Sequence, residues 1–287
     1  MVSAIFPPGR VTIVAILNVT PDSFSDAGRF ARPGGRVDVE RAVDAAALLV
    51  AEGAHILDVG GESTRPGARS APADVEIERT APVIEALAKR LDLPISIDTR
   101  KASVAEAALG AGARLVNDVS GLRHDAELAG IAARAKAGLI LGHLRGDPET
   151  MQDDPHFDDV LREVGDELAD SVRRAVDAGV APGRIVVDPG IGFGKRLKDN
   201  LVLMAHPREL GDRVGHPVLV GPSRKAFLGT LTGDPVGARD AATAAACAIA
   251  CFAGADGVRV HDVAGAVRAV AVGRALRSAR EQGGARR

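Results

Sequence analysis

The chain is poor in aromatic side chains. Its 287 residues include seven Phe, no Trp and no Tyr. With 46% hydrophobic content the core is large enough to fold, but it has to be filled by aliphatic side chains. Cysteine is equally scarce. Cys247 and Cys251 are the whole complement, four residues apart in an alanine-rich stretch. Two thiols on one helix face make neither a disulfide framework nor a zinc site, so they read as small buried apolar residues in a reducing compartment. No sign of charge dominates. The net charge of −2 gives no basis for a nucleic-acid or membrane-surface partner. No run approaches the roughly 20 apolar residues of a membrane helix, and Met1 to Arg10 lacks the apolar region of a signal peptide. These absences lead us to expect a soluble cytoplasmic protein.

Glycine and alanine are abundant, and three glycines fall in one stretch, Asp188-Pro189-Gly190-Ile191-Gly192-Phe193-Gly194-Lys195. It follows the β-branched run Ile185-Val186-Val187, which reads as a strand. A strand that ends in a carboxylate and opens into a glycine-rich turn lets backbone approach a ligand closely. Taken alone, the stretch is accounted for equally well by a plain turn with a helix-capping Asp.

The same pattern recurs along the chain. Strands are expected over 11–17, 55–59, 94–97, 114–116, 139–141, 185–187, 217–220 and 257–262. Each is followed by a helix or a helix-length segment. Asp38 is expected to cap one helix ended by Gly53, and Asp74 to start another. Ala102 to Leu109 reads as a short helix. The longest helix is expected from about Phe157 to Ala178. Further helices are expected around Leu201 to Leu210, from Asp240 to Ala253, and from Val263 to about Arg280. Regular βα alternation implies a parallel sheet. Eight units in about 270 residues fit an α/β fold of the (β/α)8 TIM-barrel type, and the other arrangement of this kind is an open doubly wound sheet. We expect a single domain over 1–287, with a short N-terminal lead, 1–10, and a frayed tail from about 282. The barrel is favoured because Asn18, Asp98, Asn117, Asp188, Ser223 and His261 all sit at or just past the C-terminal end of a strand. In a barrel those ends share the face that carries active sites.

Asp98, Asn117 and Asp188 supply the paired donors and acceptors that suit a flat heterocycle. An oxygen-rich set also suits a divalent metal, although no close-spaced His ligands accompany it. Lys225 adds a cation to the same face, if it is not simply a solvated surface lysine. Arg259 and His261 alternate with Val258 and Val260 and so share one side of their strand. With Arg65 from the loop after the second strand, they make a candidate anion site beside the N-terminus of the last helix. A salt bridge to Asp262 or Asp256 is the other reading of Arg259.

Seven stretches, in order, resemble the dihydropteroate synthase family. They are Asn18-Val19-Thr20-Pro21-Asp22-Ser23-Phe24-Ser25-Asp26, Gly60-Gly61-Glu62-Ser63-Thr64-Arg65-Pro66-Gly67, Ser96-Ile97-Asp98-Thr99, Asn117-Asp118-Val119-Ser120-Gly121, Asp188 to Lys195, Ser223-Arg224-Lys225 and Arg259-Val260-His261-Asp262-Val263. The resemblance runs from Ile16 to Val263. It implies a transferase of folate synthesis that joins 4-aminobenzoate to 6-hydroxymethyl-7,8-dihydropterin diphosphate, with Mg2+, and that commonly forms a homodimer. Its partners would be these small molecules, with no nucleic acid and no membrane. It implies pterin contacts at Asp98, Asn117, Asp188, Phe193 and Lys225, and diphosphate contacts at Asn18, Arg65, Arg259 and His261. It implies 4-aminobenzoate contacts at Phe24, Thr64, Arg65, Pro66, Phe193 and Ser223, with Asn18 also near the metal. No covalent nucleophile is implied; Lys225, Arg259 and His261 would act electrostatically. The chain departs from the family pattern at Gly142-His143-Leu144, where Met-His-Met is usual, at Ala27 for a usual glycine, and at Asp199-Asn200 for His-Asn. The first departure removes a methionine from the expected pocket wall and is expected to loosen it. Two alternatives to the active synthase remain: a non-catalytic pterin-binding paralogue, and a methyltetrahydrofolate-dependent methyltransferase-like barrel.

Overall fold

The structure is a computed structural model and describes residues 6–20, 30, 37–63, 67 and 70–284. Eight parallel strands alternate with helices. β1 (Thr12–Asn18), α1 (Val39–Ala51), β2 (Ile56–Gly60), α2 (Ala73–Arg90), β3 (Ile95–Asp98), α3 (Ala102–Gly110), β4 (Leu115–Asp118), α4 (Glu127–Arg134) and β5 (Gly138–Leu141) form the first half. α5 (Val160–Asp177), β6 (Ile185–Val187), α6 (Leu197–Ala205), α7 (Pro207–Val214), β7 (Leu219–Val220), α8 (Ala226–Thr232), α9 (Asp240–Ala253), β8 (Gly257–Val260) and α10 (Val263–Gly284) form the second. The strand order β6-β5-β4-β3-β2-β1-β8-β7 is closed by one parallel bridge between Val187 and Val218. The expected (β/α)8 barrel is therefore the architecture found.

Strands buried on both faces read as continuous apolar runs, because helices cover the outside and side chains fill the inside. The outer core joins strands to helices through residues such as Leu57, Ile97, Leu139 and Leu168. The inner core is a separate cluster of Val14, Ile56, Leu115, Ile140, Val186 and Leu219. Phe6 completes this cluster. Part of the N-terminal lead is thus core, since Phe6 is 5% exposed.

Several boundaries differ from the sequence reading, each for a local reason. α2 is capped by Pro72, and Asp74 lies in its first turn, where a carboxylate favours the helix dipole. The longest helix is α10, not α5. α5 begins at Val160 because Asp159 caps it by accepting from the Arg162 amide. The helix expected around Leu201 to Leu210 is two helices. Pro207 opens α7 at its first position and keeps His206 out of helical geometry. α4 and α8 fill segments to which the sequence reading gave only helical length. α10 runs on to Gly284, past the expected end near Arg280.

Candidate active site

Register brings the predicted strand-end residues to one level. Asn18 pairs with Gly60, Gly60 with Asp98, and Asp98 with Asn117. An alternating strand that puts Val14, Ile56 and Leu115 inside the barrel floor puts every second residue beyond them on the same inner face. Above the apolar floor lies a polar layer, and above that the mouth.

The mouth holds a solvent-open cleft lined by Asn117, Val119, Gly142, Asp188, Gly190, Ile191, Phe193, Gly221, Lys225 and Arg259. Five of the predicted site residues are in that lining. Asp188 caps the turn after β6 by accepting from the Gly190 amide at 2.7 Å. Gly190 has φ +66°, and a Cβ there would fall 1.9 Å from the His143 carbonyl oxygen, so only glycine fits. Burial raises the Asp188 pKa, and the Gly190 amide with the Lys225 and Arg259 cations offsets part of that rise. The Lys225 ammonium sits 3.7 Å from the Phe193 ring centroid, a cation–π pair across the cleft.

Arg259 crosses the barrel. Its Nε donates to Asp58 Oδ2 at 2.6 Å and its Nη2 to Asp98 Oδ2 at 2.6 Å. Neither Asp262 nor Asp256 is its partner; the register of β8 against β1 turns the side chain inward instead. Burial alone would lower the Arg259 pKa, but the Asp58 and Asp98 charges raise it. Asp98 is held at about 7, pushed up by burial, with Arg259 pulling it down and Asp58 and Glu76 adding to the rise. The oxygen Oδ1 of Asp98 is buried and has no hydrogen-bond partner among the described residues.

Ser223 and His261 do not line the cleft. They meet each other, Ser223 Oγ lying 2.9 Å from His261 Nδ1 and accepting the His261 amide at 3.1 Å. The intervening Arg224 is structural. It has φ +55°, and Asp240 holds its guanidinium at 2.7 and 2.9 Å. Asn18 is half-buried beside Gly60, whose missing Cβ would lie 3.1 Å from Asn18 Oδ1 and 3.8 Å from Asp98 Oδ2. Phe24, Thr64, Arg65 and Pro66, like Ala27, lie outside the described residues. Glu62, near the start of that loop, is tied to Arg100 at 3.0 Å and to Lys101.

A model of pterin-binding enzymes matches residues 14–261. This chain belongs to the pterin-binding enzyme family. Among its relatives, the dihydropteroate synthase of Synechocystis sp. is 46% identical over 255 residues, covering 88% of this chain and 86% of that protein. A Yersinia pestis dihydropteroate synthase solved as a sulfonamide drug complex superposes with a TM-score of 0.88 at 39% identity, covering 95% of this chain and 96% of the other. A Xanthomonas albilineans dihydropteroate synthase in complex with 7,8-dihydropteroate superposes with a TM-score of 0.80 at 39% identity, over 94% and 95% of the two chains.

Two features of this pterin-binding enzyme escaped the sequence reading. The first is Asp58, in the middle of β2 and 0% exposed. Its signal was a carboxylate between Leu57 and Val59 in an otherwise apolar strand. The second is a buried clamp behind the glycine-rich turn. Lys195 Nζ contacts His143 Nδ1 at 3.0 Å and donates to the carbonyls of His143 at 3.3 Å and Phe193 at 3.0 Å. His143 Nε2 lies 3.1 Å from Glu167, which also binds Arg145 and Arg123. A carboxylate only accepts, so Glu167 fixes the proton on Nε2 and leaves Nδ1 to accept from Lys195. Burial and the neighbouring Lys195 hold His143 down at about 3, and burial pushes Lys195 down to about 7.

Gly142 corrects the expected loosening of the pocket wall. A Cβ there would lie 2.6 Å from Val119 Cα and 2.8 Å from its carbonyl oxygen. The wall at this point is backbone against backbone, with no gap for a side chain to leave. Asn200, of the Asp199-Asn200 departure, accepts from the Gly192 amide at 2.6 Å, and Asp199 binds Arg196 at 2.7 Å. Both therefore brace the turn.

Proposed function

We propose that this chain is a dihydropteroate synthase, joining 6-hydroxymethyl-7,8-dihydropterin diphosphate to 4-aminobenzoate and releasing pyrophosphate. The observation that carries this reading is the cleft itself: Asn117 and Asp188 share its lining with Lys225, Arg259 and the Phe193 ring, the donors, acceptors and charge that a flat heterocycle with an anionic tail needs. The family membership supports it.

In this reading Asp188 and Asn117 bind the amino-oxo edge of the pterin, with Lys225 and the Phe193 ring beside it. The C–O bond from the pterin methylene to the diphosphate breaks, and the oxygen keeps the electron pair. The electron-rich ring stabilises the cationic methylene. The aromatic amine then forms the new C–N bond and loses a proton to solvent. Arg259 supplies positive charge toward the diphosphate, His261 a polar ring beside it, and no side chain becomes covalently attached. Asp98 adjoins this space through its bond to Arg259, whereas Asn18 and Ser223 are outside the cleft lining and take their roles from the resemblance. Phe24, Thr64, Arg65 and Pro66 enter on the resemblance alone.

Magnesium belongs to the same proposal. Asn18 Oδ1 is a hard oxygen donor, and the described residues hold no cluster of three His, Cys, Asp or Glu ligands. That set fits an ion arriving on the diphosphate, with Asn18 as its protein contact. Bound there, Mg2+ would neutralise charge on the leaving group.

We also place the enzyme in the cytoplasm as a homodimer. Cys247 and Cys251 are buried free thiols, as a reducing compartment allows, and no helix among the described residues is long and apolar enough to cross a membrane. α9 packs on both α6 and α10. Leu201 and Val202 of α6, Ile249 of α9, and Val272 and Leu276 of α10 are all exposed, in keeping with a covering second copy.

The test is pyrophosphate release by purified protein with pterin diphosphate and Mg2+, with and without 4-aminobenzoate. We expect release that depends on 4-aminobenzoate, with dihydropteroate formed. Pterin binding without turnover would point to a non-catalytic paralogue instead.

A further inference from the structure

The polar layer beneath the cleft is organised by a residue that does not touch the cleft. Asp58 Oδ2 accepts Asn117 Nδ2 at 2.8 Å and Arg259 Nε at 2.6 Å. The two donors come from β4 and β8, on either side of β2, and both line the cleft. Asp58 itself is 0% exposed, and Oδ2 is the oxygen that holds both donors.

That arrangement is a poor structural device. A buried ion pair seldom beats apolar residues of the same volume. The inner layer just below is apolar, built from Val14, Ile56 and Leu115, so a further aliphatic at position 58 would extend an existing core. What the carboxylate supplies instead is direction. An ionised carboxylate accepts and never donates. Asn117 must therefore turn its amide nitrogen down toward Asp58, which leaves the carbonyl oxygen and the second N–H for the cleft. The same oxygen holds Nε of Arg259, whose Nη2 is held by Asp98. Both guanidinium contacts fix its plane and leave its remaining N–H groups to a ligand.

We propose that Asp58 is a positioning residue of the pterin site, fixing which way the Asn117 amide faces and how Arg259 is held. This rests on the dihydropteroate synthase reading. Asp58 acts through its neighbours, and the ligand class it selects is a heterocycle edge presenting an N–H donor to the Asn117 carbonyl. A ligand with an acceptor at that position meets lone pair against lone pair.

The consequence is energetic coupling. Once the Asn117 side chain is gone, Asp58 has nothing left to orient for the free pterin. The experiment is a double-mutant cycle read by calorimetry with 6-hydroxymethylpterin, which lacks the diphosphate and so leaves aside the anion contacts of Arg259. We expect Asp58→Ala and Asn117→Ala each to weaken binding about tenfold or more. The double variant should bind about as well as the weaker single, because the two act as a unit. Losses that multiply in the double variant would overturn the proposal. Asp58→Asn keeps an acceptor where Oδ2 stands and is expected to retain affinity within about threefold of the unsubstituted chain. A loss as large as that of Asp58→Ala would show that charge, not orientation, is what Asp58 supplies. Should Asp58→Ala fail to fold, Asp58→Ser carries the same cycle. Absence of pterin binding by the unsubstituted chain would instead sink the synthase reading, a result distinct from multiplicative losses.

Discussion

Arg259 is held by two carboxylates and lines the cleft, so its removal has two separable effects. Arg259→Ala leaves Asp58 and Asp98 buried and uncompensated, which costs about 3–5 kcal/mol for a broken buried pair. We expect a clear drop in the midpoint of urea unfolding, together with a greater loss of affinity for pterin diphosphate than for free pterin. Equal losses for the two ligands would remove Arg259 from the anion site. Asp188 is the contrasting case. Among the described residues its carboxylate accepts a hydrogen bond from the Gly190 amide of its own turn and has no ion pair like those of Arg259, so Asp188→Ala should leave the unfolding midpoint nearly unchanged. Pterin affinity should fall by about a hundredfold, the loss of two hydrogen bonds to a charged group. Calorimetry that finds affinity intact would refute the assignment. These two residues also show what a sequence makes visible. Asp188 stood out because it ends an apolar run and precedes glycines. The partners of Arg259 could not be read at all, since they lie 201 and 161 residues away and meet it only across the barrel interior.

The elements that shape the cleft are the turn after β6 and the strand end of β5, and each makes a demand of its own. Gly142 follows β5 with its backbone against Val119, so Gly142→Ala forces two strand ends apart. Overpacking of this kind costs about 1–3 kcal/mol, and we expect thermal unfolding to show it. An unchanged melting temperature would mean the wall gives more readily than backbone contact implies. The clamp of His143, Lys195 and Glu167 ties the β6 turn to α5, and it carries a pH dependence. His143 is held at about 3 in the folded protein against an ordinary value near 6.5. Below pH 6.5 the unfolded chain takes up a proton that the folded chain refuses until about pH 3. Stability contributed by the neutral imidazole is therefore present above pH 6.5 and lost as pH falls toward 3. His143→Gln cannot titrate, so its stability should fall less steeply over that interval in denaturant titrations at stepped pH; parallel curves would contradict the assignment. The sequence marked the glycine-rich turn as a ligand loop, because glycine spacing is local. It did not reveal the clamp, because a histidine, a lysine and a glutamate from three segments show no common pattern until the chain is folded.

At the level of the whole molecule, the barrel was legible because it repeats. Eight apolar runs, each followed by helix-length sequence, leave few alternatives, and six polar strand ends aim at one face. Closure was less visible, since β7 has two residues and the ring is completed by a single bridge between Val187 and Val218. The polar layer within the barrel was missed for a related reason. Attention to strand ends passes over Asp58, which sits mid-strand. The outer surface poses the remaining question of assembly. Ile249, Val272 and Leu276 are 59%, 57% and 56% exposed on helices that pack closely together. Apolar side chains of that size, exposed on two helices packed together, are costly in water unless something covers them. If a second copy does so through a two-fold axis, each patch meets its own image, and one charge placed in it is met twice. Ile249→Glu combined with Leu276→Glu should therefore convert a dimer to a monomer in sedimentation equilibrium. Pterin binding should survive, because α9 and α10 carry none of the cleft-lining residues. A chain that sediments as a monomer before substitution would rule out the second copy, and a dimer untouched by both glutamates would place its interface on another face of the barrel.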